Sequence, residues 1–216
     1  MTQTLRVAFV TGGHPFDVPA MHQMLRALPD VDVYPQHLED WATNVGNARE
    51  VYDVTLLYFL YREFPQAPSW SEKAIAPALE SLGTDGRGIV VWHHALLCYP
   101  QWDLWGDLTG LRDRAFGFEQ NQSVPSHVVQ SSHPIMQGLD NWTMTDEIYT
   151  MNGASDDCEV LVTTSHPRSM PHLAWTRSFR DSRVFCLQPG HDHHAFENDN
   201  FHQLLARGIA WSAHRI

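Results

Sequence analysis

Two histidine clusters hold the chemistry this sequence can offer: Trp92-His93-His94-Ala95 and Pro189-Gly190-His191-Asp192-His193-His194. Histidine titrates near neutral pH and is the commonest metal ligand, so the clusters point to acid–base work, a metal site or both. Each follows a short apolar run, Gly88-Ile89-Val90-Val91 or Arg183-Val184-Phe185-Cys186-Leu187, that reads as a buried strand. In an open α/β sheet, ligands bind outside the carboxyl ends of the strands, where the two sets of imidazoles can meet in one crevice. Adjacent residues on an extended segment point to opposite sides, so His93 is expected in the crevice and His94 under the sheet or at a helix start.

Other residues can join them. Glu147, in Thr145-Asp146-Glu147-Ile148-Tyr149, is a candidate general acid–base or carboxylate ligand. Alternation puts Glu147 and Tyr149 on one side and Asp146 and Ile148 on the other. The plainer reading is a solvated acid on an edge strand. Gly13 and His14 follow the first strand, where backbone N–H groups at a helix start can meet a sugar hydroxyl or a phosphate. Trp92, Trp102 and Trp105 offer a platform for a sugar ring or simply fill the core. Asp192 either orients a neighbouring imidazole or caps the next turn. If a divalent metal such as zinc is bound, His93, His191 and Glu147 are its expected ligands. No H-E-x-x-H spacing is present, so they would have to converge from separate strands.

Composition narrows the classes. The chain has 216 residues, 43% hydrophobic and 18% charged, which fits one α/β domain, 1–216, with a full core. Fourteen Lys and Arg against 25 Asp and Glu give a formal charge of −11, which argues against a nucleic-acid partner. Lys73 is the only lysine and reads as solvated surface, so Schiff-base chemistry is not expected. Cys98, Cys158 and Cys186 are irregularly spaced, with no C-x-x-C, and point to a reducing, cytoplasmic setting. The first ten residues run into a strand without the form of a signal peptide. No apolar stretch approaches the ~20 residues of a membrane span.

The elements that position the candidates follow from periodicity. Residues 5–10 are a strand, and Asp17 opens a helix with Met21, Met24, Leu25 and Leu28 on one face. Strands are expected at 31–34, 54–60 and 88–92. Ser69 and Glu72 form a capping box for a helix carrying Ile75, Leu79 and Leu82, which Pro77 should kink or delay. The aromatic stretch through Tyr99, Trp102 and Trp105 is expected to be helical. From Arg112 to Thr150 the alternation lapses, with one strand at 126–130. Strands at 159–163, 173–176 and 183–187 follow, the last two as a hairpin, before a closing helix at 200–213. The pattern is a flavodoxin-like, doubly wound, mainly parallel sheet with helices on both faces and a β-rich C-terminal part.

Four stretches, in order along almost the whole chain, resemble the ThuA-like, or trehalose utilisation, family of the class I glutamine amidotransferase-like superfamily. They are Val10-Thr11-Gly12-Gly13-His14; Gly88 to His93; His133-Pro134-Ile135 through Asp146-Glu147-Ile148-Tyr149; and Ala174-Trp175-Thr176-Arg177 through Gly190-His191-Asp192 to Gly208-Ile209-Ala210-Trp211. The resemblance implies the same fold and a role with trehalose-related sugars, including keto-sugar intermediates. It places His191 where the amidotransferase relatives have their catalytic histidine, and Glu147 in an acidic-acidic-x-Tyr motif. It places His93 where those relatives carry the cysteine nucleophile. Cys98, five residues on in an apolar stretch, should be a buried neutral thiol, so glutamine hydrolysis is not expected. Family members with further histidines after the third strand differ from this chain, which has Leu60-Tyr61-Arg62 there.

Two functions remain open at this level. One is a hydrolase, lyase or isomerase acting on a small sugar through His93, His191 and Glu147, with or without a metal. The other is a sugar-binding or regulatory protein that has lost the nucleophile. Tyr61, Phe64 and Trp70 either pair subunits in a homo-oligomer or cover the pocket.

Overall fold

Runs that are apolar at nearly every residue can be buried on both faces, and here they form the inner strands of one nine-stranded sheet. The computed structural model describes residues 4–216. β1 (Leu5–Gly12), β3 (Val54–Phe59), β4 (Gly88–Trp92) and β9 (Ser182–Leu187) pair in parallel in that order, and β2 (Val31–His37) is parallel to β1 at the edge. Beyond β9 the sheet continues through four antiparallel ladders, with β8 (His172–Phe179), β7 (Glu159–Thr164), β5 (Gly117–Val128) and β6 (Trp142–Thr150). The strand order is β2-β1-β3-β4-β9-β8-β7-β5-β6.

Helices cover both faces, as the alternation requires. α1 (Val18–Ala27), α5 (His193–Phe196) and α6 (Asp199–Ser212) bury Met21, Phe196 and Phe201 in a core that also holds Phe9, Tyr58 and Trp92. α2 (Leu38–Thr43), α3 (Ile75–Glu80) and α4 (Asp103–Thr109) enclose the opposite core around Phe59, Trp105 and Trp175. Asp17 caps α1 by accepting from the Ala20 N–H. The capping box forms reciprocally: the Ser69 N–H donates to Glu72 at 2.7 Å and the Glu72 N–H to the Ser69 hydroxyl at 3.2 Å. Pro77 falls in the first turn of α3, where its missing N–H would have had no intrahelical partner. Among the described residues no helix is long and apolar enough to cross a membrane.

The structure corrects the sequence in three places. The aromatic stretch is helical only from Asp103. Tyr99 has φ +45°, and the proline after it disfavours a right-handed helical conformation at that position. α2 was not expected; six residues are too few for a clear period, although Leu38, Trp41 and Ala42 are buried. The supposedly irregular stretch before Thr150 contains two long strands, and the expected strand at 126–130 overlaps only the last residues of β5. Most of β5 is polar, so it lacks the apolar alternation that marks a core strand.

Candidate functional site

β4 ends abruptly in a 3₁₀ turn, His93–Leu97, and His93 itself takes a left-handed conformation with φ +52°. This is uncommon for a residue with a Cβ. It also breaks the extended geometry on which the opposite-sides expectation rested. His93 and His94 are both buried, with ring centroids 5.4 Å apart, and His94 lines the same cavity as His191. His93 Nδ1 lies 2.6 Å from the Gln188 carbonyl, which can only accept, so that nitrogen holds the proton and a neutral ring bears its lone pair on Nε2. The Tyr149 hydroxyl donates to this Nε2 at 2.9 Å.

The second cluster arrives through Gly190. At φ +120°, a Cβ there would lie 2.2 Å from Trp92 Nε1, so only glycine fits. His191 follows, and its Nδ1 lies 3.2 Å from His93 Nε2. The Gln120 amide nitrogen is 3.3 Å from its Nε2. Asp192 caps α5, accepting from the His194 N–H at 2.9 Å and contacting His194 Nδ1 at 3.0 Å, and it also lines the cavity. His193 and His194 open α5 and are exposed.

The carboxylate comes from the far edge of the sheet. β5 pairs with β7 only through Ser126, His127 and Val128, whereas its ladder with β6 reaches back to Gly117. The β5–β6 ribbon therefore overhangs the carboxyl edge of the sheet, with an irregularity between Glu119 and Gln122. It folds over the ends of β4 and β9. Glu147 Oε1 then lies 3.5 Å from His93 Nε2 and 3.6 Å from His191 Nδ1, and Glu147 is only 7% exposed rather than a solvated edge acid. Asp146, which the sequence reading assigned no role, points the other way along the strand. It accepts from the N–H groups of Gly190 at 2.6 Å and His191 at 3.0 Å, fastening the ribbon to the histidine loop. The only signal for it was its place beside Glu147 on the alternate face.

Burial and charge set the protonation of the cluster. Burial acts to raise the Glu147 pKa, but His93, when it carries a second proton on Nε2, and His191 outweigh this and hold it below the usual carboxylate value. Burial raises the Asp146 carboxyl to about 6, against the pull of His93 and of three backbone N–H groups. His191 is lowered by burial and by His93, partly offset by Glu147 and Asp192. Burial pushes the Tyr149 hydroxyl well above its ordinary value, with Glu147 adding to the effect, so it stays protonated as a donor.

Glu147, Tyr149 and His191 border an open cavity of about 430 Å³, with Phe16, Leu60, Leu97, Phe116 and Phe118 as apolar walls and His14, Asp17, Gln120 and Asp192 as further polar groups. His93, expected in the crevice, is instead fully buried behind Glu147 and His191 and does not line it, whereas His94 does. Gly13 is not among its lining residues. With φ +68° and the Leu60 carbonyl 2.2 Å from where a Cβ would stand, it makes the turn that delivers His14. Trp92 cannot be a sugar platform: it is fully buried, its Nε1 donates to the Pro189 carbonyl, and Phe201 packs beside it. Trp105 is equally buried, and Phe118, 58% exposed, takes the place of an aromatic wall. Tyr61, Phe64 and Trp70 do not line the cavity.

The donor set has the spacing of a metal site. Tetrahedral zinc with bonds of about 2.0–2.1 Å separates its ligand atoms by roughly 3.3–3.4 Å. Here the three separations are 3.2, 3.5 and 3.6 Å. The Nδ1–H of His93 on a backbone carbonyl is also the arrangement that orients a metal-binding histidine. No thiol takes part. Cys98 is buried with its pKa raised to about 12 by that burial, and its sulfur faces the Phe59 carbonyl at 3.2 Å. Arg62, in the histidine-free stretch after β3, bonds the Leu97 and Arg114 carbonyls.

The chain matches the family model of ThuA, trehalose utilisation, over residues 15–212, and it belongs to that family. It is similar to a ThuA-like protein from Parabacteroides merdae, at 20% identity and a TM-score of 0.74, covering 98% of this chain and 90% of that one. A cytoplasmic protein from Salmonella typhimurium aligns at 13% identity and a TM-score of 0.68, covering 96% and 99%. A glutamine amidotransferase from Thermotoga maritima aligns at 9% identity and a TM-score of 0.57, covering 98% and 99%. At these identities the likeness establishes the fold alone. No curated protein matches the chain.

Proposed function

We propose that this ThuA-family protein is an enzyme acting on a carbohydrate, a trehalose-related sugar, keto-sugar or glycoside, through His93, His191 and Glu147. The observation that carries the reading is the convergence of His93 Nε2, His191 Nδ1 and Glu147 Oε1, 3.2 to 3.6 Å apart, beside an open cavity. Glu147, held ionised, is the proton acceptor. In a metal-free form His191, with Gln120 3.3 Å from its Nε2, is the donor toward a carbonyl or glycosidic oxygen as an imidazolium, which gives up one of its two protons and is left neutral. His93 is fixed by Gln188 and cannot rotate away. Such a set suits hydrolysis, elimination or isomerisation of a sugar. With His93 at the elbow in place of a thiol, it does not suit glutamine hydrolysis.

In a metal-assisted form the same three side chains, with both imidazoles neutral, would instead be the ligands of one divalent metal such as zinc. When bound, the metal would supply Lewis-acid polarisation of the substrate oxygen. Phe116 and Phe118 offer faces for sugar C–H groups, and Gln120, Asp17 and Asp192 offer partners for hydroxyls. Three free thiols suit a reducing, cytoplasmic setting.

Elemental analysis of untagged protein and of His191→Ala tests the metal, and turnover of keto-sugars and glycosides by Glu147→Gln tests the acid–base set. Near one equivalent of metal, lost in His191→Ala, supports the metal-assisted form. Turnover reduced about a hundredfold or more in Glu147→Gln supports acid–base catalysis. Sugar binding without turnover in the wild type overturns the enzyme reading in favour of a binding or regulatory protein.

A further inference from the structure

One atom of the site, His93 Nε2, has two claimants. The Nδ1 proton is given to the Gln188 carbonyl at 2.6 Å, so the neutral ring has a single lone pair, on Nε2. Three groups surround that atom: the Tyr149 hydroxyl at 2.9 Å, His191 Nδ1 at 3.2 Å and Glu147 Oε1 at 3.5 Å. An ionised carboxylate can only accept, and a His191 that keeps a lone pair on Nδ1 for a metal cannot donate from it. Among the described residues Tyr149 is then the donor left to fill the His93 lone pair. Its ring is wedged in place, 1% exposed, stacked on His93 with centroids 5.0 Å apart and meeting Phe116 edge-on at 5.6 Å. The hydroxyl can turn about its C–O bond without the ring withdrawing.

We infer that Tyr149 is a positioning residue for metal uptake: its hydroxyl occupies the His93 lone pair in the metal-free protein, and a divalent cation binds His93 by displacing it. This rests on the metal-assisted form above and names the residue that sets the affinity of that site. The bond has two opposed effects. It satisfies a nitrogen of a fully buried ring, which would otherwise be an unpaired polar atom, and so keeps Nε2 aimed at Glu147 and His191 before the cation arrives. It also opposes the cation by the worth of one hydrogen bond, because a single lone pair cannot serve a hydroxyl proton and a metal together. Removing the hydroxyl alone, with the ring kept, separates the two effects.

The test is calorimetric titration of the untagged full chain, stripped of metal with a chelator, with zinc chloride, for wild type, Tyr149→Phe and Tyr58→Phe, together with each protein's melting temperature with and without zinc. Tyr58 is the comparison because its hydroxyl donates to the Gly190 and His191 carbonyls, at 3.0 and 3.4 Å, and to none of the three ligand atoms. We expect Tyr149→Phe to bind zinc about five- to tenfold more tightly than wild type, the worth of roughly one hydrogen bond. Without zinc it should melt about 2–4 °C lower, and at saturating zinc that deficit should close, because the loaded protein no longer uses the bond. Tyr58→Phe should melt lower in both states with unchanged zinc affinity, and a Tyr149 with a purely structural role would behave in the same way. Zinc affinity in Tyr149→Phe equal to or weaker than wild type overturns the inference and leaves the metal-assisted form standing. No zinc binding by either wild type or Tyr149→Phe overturns both.

Discussion

The imidazoles and the carboxylate of the site are delivered by opposite kinds of structure. His93, His94 and His191 stand within four residues of the ends of β4 and β9, two neighbouring parallel strands packed on both faces. Their backbone is braced where Trp92 packs against the Gly190 turn and donates to the Pro189 carbonyl. Glu147 and Tyr149 come from β6, the outermost strand on the other side of the sheet, and reach His93 only because the β5–β6 ribbon bends back over the strand ends. Asp146 and the bond from the Gln188 side chain to the Glu147 carbonyl, 3.0 Å, are the fasteners. The difference teaches that the floor of the site is fixed by packing, whereas its charge depends on a few polar bonds across a long loop in the chain.

That contrast can be broken from either side. Gly190→Ala puts a Cβ against the Trp92 indole in a backbone conformation that disfavours side chains, and should cost about 3 kcal/mol or more in denaturant unfolding. A loss below 1 kcal/mol would mean the floor is not locked. Asp146→Ala removes the clamp and strands the N–H groups of Glu147, Gly190 and His191, at an expected cost of about 2–3 kcal/mol. Amide exchange should then rise across β6 while the amides of β4 stay protected; equal exchange in both would contradict two separately held halves. At the small end, His194→Ala changes an exposed side chain of the same cluster and should stay within about 0.5 kcal/mol of wild type. A larger loss would extend the locked floor to the α5 turn.

Legibility in the sequence follows the same division. The strand ends at Gly12, Trp92 and Leu187, and the histidines after them, could be read from short apolar runs and glycine turns. The hairpin between Phe179 and Ser182 and the cap at Asp17 were equally local. β5 was not legible, since Gln120, Asn121 and Gln122 give it no apolar face, and with it went the fold-back that brings Glu147, on its partner strand, to the histidines. Asp146 was invisible as a clamp for the same reason: its partners lie 44 and 45 residues away. Trp92 was misjudged because a tryptophan beside a site is indistinguishable in sequence from one beneath it.

The sequence by itself determined the parallel half of the sheet, the family, and the end of the sheet at which imidazoles gather, because burial on both faces and tight turns are encoded by adjacent residues. Only the tertiary structure decided that His94 shares the cavity, since a left-handed φ at His93 is set by its surroundings. It alone also decided that Tyr149 meets His93 across 56 residues, because that contact requires the ribbon to fold back over the strand ends, and no local pattern records such a bend.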